Sequence, residues 1–295
     1  HAWTIDTQGR KDRGAKTALV SASGPRSDLV FALDVTDPSK AAVTAANQQR
    51  YPVPMWEWRM GSVLPLTGAL RQPDTRGSRH SPPIIRADFG STIGEKWIAA
   101  IATDYVPNSG TAGTVYLIDL ATGAPVVSGT RTIGIITLEL NEGLGGEPAA
   151  ADIDADGSYD VLYVPSTSGR VYRINFADVS TSRPVDARVA SCVVADTAAT
   201  LITAGVSSTD ALRQGIYSPL AIKVVRDNSP RVQIYFGTAD NPDDPSDAQA
   251  SRYHVMAYED ETPQGACAAA TPLWQQQLHD GQQVWGGVNL GKDDV

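Results

Sequence analysis

Four aspartates fall within nine residues of this chain, in the run Asp152-Ile153-Asp154-Ala155-Asp156-Gly157-Ser158-Tyr159-Asp160. Carboxylates stand at loop positions 1, 3, 5 and 9, with glycine at 6. Calcium is a hard cation that takes about six to eight oxygens, and the odd positions of a tightly wound loop converge on one point. Gly157 permits the sharp turn that folds the second half back, and Ser158 at position 7 offers its main-chain carbonyl. Magnesium fits less well, because it demands a smaller, octahedral and partly hydrated site. Two features separate the run from an EF-hand. Position 12 is Tyr163 rather than a bidentate Glu, and Val161-Leu162-Tyr163-Val164 reads as a strand rather than a helix. The expected ligands are therefore Asp152, Asp154, Asp156, Asp160 and the Ser158 carbonyl, in a loop set into β-structure. The competing reading is an acidic surface turn without a metal. Against it, four carboxylates this close repel one another unless a cation is present.

Other reactive residue types are sparse. The histidines are His1, His80, His254 and His279. His254 lies in a strand pattern and reads as structural, and no Gly-x-Ser-x-Gly elbow occurs. No catalytic constellation is found, so a non-enzymatic role is expected. A second acidic stretch, Asp240-Asn241-Pro242-Asp243-Asp244-Pro245-Ser246-Asp247, is irregularly spaced and reads as a solvated loop. Cys192 and Cys267 are far apart and lack metal-ligand spacing; they are either a disulfide formed in an oxidising compartment or two free buried thiols. Trp56, Trp58, Trp97, Trp274 and Trp285 are expected to pack the core rather than to form a sugar platform. A net charge of -9 and a pI near 4.9 repel phosphate backbones, which argues against nucleic acid. The same sign suits a surface exposed to millimolar calcium.

The elements that must hold the acidic loop are strands. Short β-branched and aromatic runs cover residues 17–21, 29–35, 97–103, 114–120, 160–164, 169–176, 220–225, 232–238 and 254–258, each bounded by turn formers. They pair into four hairpin-like units: 17–21 with 29–34, 97–102 with 115–119, 160–164 with 170–175, and 232–237 with 253–258. One hairpin is marginal in water, whereas several set around an axis bury each other's faces. The fold class expected is all-β, a modified β-propeller with irregular loop insertions, forming one domain over residues 1–295. Long loops are expected at 61–81, 177–215 and 240–252, the middle one as an insertion carrying Cys192. No apolar run reaches the ~20 residues of a membrane span. No signal peptide is visible. The chain begins at His1 without Met, and a fragment of a longer precursor is expected.

Beyond these patterns, a collinear series of motifs resembles the C-terminal β-propeller domain of the PilC/PilY family, the type IV pilus biogenesis factors and tip-associated adhesins. The series starts with Phe31-Ala32-Leu33-Asp34-Val35-Thr36-Asp37-Pro38, then Trp56-Glu57-Trp58, Ser81-Pro82-Pro83-Ile84-Ile85 and Trp97-Ile98-Ala99-Ala100-Ile101. It continues with Leu117-Ile118-Asp119-Leu120-Ala121-Thr122-Gly123, the acidic loop with its following hairpin, and Ile234-Tyr235-Phe236-Gly237-Thr238. The chain departs at Ser23-Gly24-Pro25-Arg26-Ser27, where the family has a Gly-rich turn, and at Pro165-Ser166-Thr167-Ser168-Gly169-Arg170. The resemblance implies a calcium loop that regulates pilus extension against retraction. It implies minor pilins of the pilus tip as partners, a host or abiotic surface as the object of attachment, and an extracytoplasmic location at the pilus tip, cell surface or outer membrane.

Two other functions compete. An integrin-like ligand-binding propeller carries similar Asp-rich loops but repeats them in several blades, and here one complete loop occurs. A quinoprotein dehydrogenase-like propeller shares a motif like Leu117–Gly123 but carries adjacent cysteines at its cofactor, which this chain lacks.

Overall fold

The computed structural model describes residues 2–4, 15–24, 27–37, 51–60, 77–103, 112–140, 142–176, 189–240 and 250–291. Among these residues, four antiparallel sheets of four or five strands follow one another in chain order. Sheet 1 joins β1 (Ala2–Thr4), β2 (Ala15–Ala22), β3 (Leu29–Asp34) and β4 (Val53–Arg59) in sequence order. Sheet 2 is built on β5 (Ile84–Asp88), β6 (Glu95–Ala102) and β7 (Ala112–Asp119), and is completed by β11 (Ile135–Leu140). Between β7 and β11 lie β8 (Ala124–Pro125), which pairs with β7, and the small hairpin of β9 (Val127–Ser128) and β10 (Arg131–Thr132). Sheet 3 contains β12 (Ala149–Ala151), β13 (Val161–Pro165), β14 (Arg170–Asn175) and β15 (Cys192–Asp196). Sheet 4 contains β16 (Ala221–Val225), β17 (Arg231–Gly237), β18 (His254–Asp260) and β19 (Thr271–Gln277).

The four hairpin units expected from the sequence are the inner pairs of these sheets, β2–β3, β6–β7, β13–β14 and β17–β18. Each acquires an outer strand on either side. Strand alternation then decides which neighbour each face meets. Ile98, Ala100 and Ala102 of β6 and Val115 and Leu117 of β7 share a core with Leu162, Val164, Tyr172 and Ile174 of sheet 3. The opposite face of sheet 2, through Ile101, Tyr116 and Ile118, packs on Val30 and Trp58 of sheet 1 and on Met60 just past β4. The opposite face of sheet 3, through Val161, Tyr163 and Val171, packs on Val232, Ile234, Phe236, Met256 and Tyr258 of sheet 4. Sheets 2 and 3 are thus buried on both faces, which explains their near-continuous apolar runs.

Two features depart from expectation. Residues 177–215 are not a plain loop. The last part supplies β15 and two short helices, Thr197–Thr203 and Ser208–Ala211, whose Ala198, Leu201 and Ala211 fill the core between sheets 3 and 4. The tryptophans also divide. Trp56, Trp58 and Trp97 belong to inter-sheet cores, whereas Trp274 and Trp285 are 47% and 43% exposed, against Tyr235 and Tyr217 respectively. Residues 61–76, 177–188 and 241–249, each part of an expected loop, lie outside the described residues.

Covalent and ionic links reinforce sheets 3 and 4. Cys192 and Cys267 form a disulfide with Cα atoms 5.6 Å apart, tying the start of β15 to the β18–β19 connection. Beside it, Arg173 of β14 donates to both oxygens of Asp260 at 2.9 and 2.8 Å. Arg173 also donates to the carbonyls of Thr262, Gly265 and Ala266.

Candidate metal site

The acidic loop connects β12 to β13, so its two ends leave adjacent, paired strands. Its winding comes from its own side chains. Asp152 accepts from the Ala155 amide at 2.7 Å and from the Gly157 amide at 3.1 Å. Asp154 accepts from Asp156 N–H, and Asp156 from Ser158 N–H. Each Asp closes a tight local turn, as short acidic side chains do. Gly157 has φ +90°, and a Cβ there would meet only Arg86 Nη1, at 3.9 Å, so conformation rather than space requires glycine. Ala155 is also left-handed, with φ +64°.

This winding brings Asp152, Asp154 and Asp156 together, each offering a carboxylate oxygen within 4.8 Å of the others. Oxygens bound to one calcium at about 2.4 Å lie at most about 4.8 Å apart, so the three fit a shared ion. Among the described residues it is the one group of three or more such side chains so placed. Asp160 stands slightly apart and deeper. It is 5% exposed, and its Oδ2 accepts from the Ile153 amide at 2.6 Å. Burial, joined by the charges of Asp154 and Asp152, pushes its carboxyl up to about 6, against the hydrogen bond from Ile153. A cation among these groups would remove that repulsion. Ser158 is buried, and its hydroxyl donates to Glu95 Oε1 at 3.3 Å. The donor set is all oxygen, hard and anionic, which suits a divalent cation.

Sequence reading misses the loop's surroundings, which come from both neighbouring sheets. From sheet 2, Arg86 O accepts from the Tyr159 amide at 2.6 Å, Ala87 forms a bridge with Tyr159, and Glu95 pairs with both Ser158 and Arg86. From sheet 4, the Arg226 guanidinium donates to the carbonyls of Asp152 and Ile153 at 2.7 and 3.1 Å. The Gln264 side chain lies close enough to Asp160 to favour its charged form. No local pattern in the sequence signals these partners, because they lie far away along the chain.

The remaining candidates separate from this site. His254 is buried, sits 3.3 Å from Gln214 Oε1, and burial holds its imidazole below the usual range, as for a structural histidine. In the second acidic stretch, Asp240 is buried with its amide donating to Gln283, and 241–247 lie outside the described residues. Among the described residues no helix is long and apolar enough to cross a membrane.

No protein-family model matches the sequence, and neither does any curated protein. Among solved structures, the chain is similar to the crystal structure of the Pseudomonas aeruginosa PilY1 C-terminal domain, with a TM-score of 0.56 and 20% identity. The match covers 88% of this chain and 48% of that one, so the chain spans about half the length of that structure. The family read from the collinear motifs therefore has a member whose fold this chain resembles.

Proposed function

We propose that this chain is a non-enzymatic, calcium-binding β-propeller module of a type IV pilus biogenesis and tip-associated factor. The observation that carries the reading is the placement of the Asp152, Asp154 and Asp156 oxygens in a fold like that of the PilY1 C-terminal domain. Four antiparallel sheets stacked in chain order, the middle two buried on both faces, favour the propeller. Calcium is preferred over magnesium because the loop offers several carboxylates of differing depth rather than a rigid octahedron. Asp152, Asp154, Asp156, Asp160 and the Ser158 carbonyl are the ligands assigned, and the ion supplies charge neutralisation and bracing. A single acidic triad among the described residues favours this reading over an integrin-like propeller with repeated loops. The disulfide and the acidic surface suit an extracytoplasmic location. Minor pilins at the pilus tip are the partners proposed, and attachment to a surface is the outcome.

Calorimetric titration of the chelator-stripped chain with calcium tests the site. One ion per chain is expected, with binding lost in Asp152→Ala; absence of heat in the parent chain overturns the metal assignment. In cells, Asp160→Ala is expected to alter surface piliation and twitching. Unchanged piliation in that strain would remove the regulatory role while leaving the site.

A further inference from the structure

The acidic loop is held from outside by a sheet that follows it in the chain. Arg226, just past β16, donates to two main-chain carbonyls at the loop's entrance, Asp152 and Ile153. Gln264, in the β18–β19 connection, reaches the buried Asp160. That connection is itself fixed. Arg173 donates to the carbonyls of Thr262, Gly265 and Ala266, Asn175 Nδ2 donates to Gly265 O, and Cys267 is bonded to Cys192. Sheet 4 therefore contacts both ends of the loop, 152–153 and 160, through side chains that are not themselves anionic.

We propose that Arg226 and Gln264 are positioning residues for the cation site, so that cation occupancy and the docking of sheet 4 onto the loop stabilise each other. This rests on the calcium reading above. Outer partners of metal ligands fix the orientation of the donors, and removing them typically weakens binding by about 10–100-fold. Arg226 gives the inference a sign. As a charge alone, a guanidinium beside a cation site disfavours the ion, so its removal would tighten binding. As a hydrogen-bond clamp on the loop carbonyls, its removal weakens binding. Coupling of this kind is reciprocal: whatever sheet 4 adds to cation affinity, the cation returns to the docking of sheet 4.

The test titrates calcium calorimetrically into the full 295-residue chain and into R226A and Q264A, and melts each protein in chelator. The expected result is one ion in the parent and, in each variant, affinity about tenfold weaker with melting in chelator nearly unchanged. Hydrogen exchange over residues 226–231 and 261–266 is expected to slow on calcium addition in the parent and to respond less in both variants. Unchanged or tighter affinity in both variants overturns the proposal. So does a loss of affinity matched by an equal loss of stability in chelator, which would mark the two residues as general packing. Absence of binding in the parent chain is a different failure, since it removes the calcium reading itself and this inference with it.

Discussion

Arg173 brings a full charge to a position 1% exposed, against an Asp260 that is 2% exposed. Tyr163 also donates to Asp260, at 2.9 Å, so the carboxylate is the hub of a buried polar cluster between sheets 3 and 4. A paired buried charge is tolerated; an unpaired one is not. Asp260→Asn keeps the shape and leaves the guanidinium without its counter-ion. It is expected to lower unfolding stability by about 3–5 kcal/mol, read from urea denaturation at unchanged m value. The cluster also shows what a sequence withholds. The four loop aspartates are legible because adjacent residues build the winding. Arg173 and Asp260 are 87 residues apart and lie in ordinary strand patterns, and nothing local marks either as buried. The same holds for Arg226, Gln264 and Glu95 around the acidic loop: their types are unremarkable on a surface, and only the stacking of sheets aims them at it.

Among elements, the turn after β7 shows how one sheet is fitted to the next. Trp56 of β4 donates its indole N–H to Leu120 O at 2.8 Å and lies over the Ala121-Thr122-Gly123 turn. Gly123 has φ +70°, and a Cβ there would come within 2.5 Å of the Trp56 ring. Gly123→Ala therefore combines a left-handed backbone with a clash across the joint between sheets 1 and 2, and is expected to cost about 2–4 kcal/mol. Gly129→Ala is the matched control, since Gly129 has φ +59° and nothing within 4 Å; it should cost about 1 kcal/mol. Thermal denaturation of the pair separates strain from packing. The nine strands anticipated from the sequence include every inner strand, because inner strands are buried and carry dense apolar runs. Most outer strands escaped notice for physical reasons. β12 is three alanines, β15 has a single Val-Val pair between Cys and Ala, and β19 reads Thr-Pro-Leu-Trp-Gln-Gln-Gln with every residue exposed. Such strands are specified by the hydrogen bonds their neighbours leave open, not by a pattern of their own.

Across the whole molecule, the described sheets share cores in chain order, and the strongest cross-links gather where sheet 3 meets sheet 4. The Cys192–Cys267 bond closes a separation of 75 residues. On the chain-entropy argument a cross-link of that span is worth about 4 kcal/mol, and measured effects run somewhat lower. Cys192→Ser with Cys267→Ser is thus expected to lower stability by about 2–4 kcal/mol. The sheets should remain in place, because Arg173 and Asn175 still grip the β18–β19 connection. Circular dichroism should show an unchanged β-spectrum beside a lower melting point. The chain-order stacking also has a consequence in time. A polypeptide released from its amino end can finish each sheet on the one already formed, with no early strand waiting for a late one. The joint between sheets 3 and 4 adds a covalent closure to this order. Cys192 and Arg173 emerge long before Cys267 and Asp260, so the sheet that bears the acidic loop stays open on one side until sheet 4 arrives to cover it.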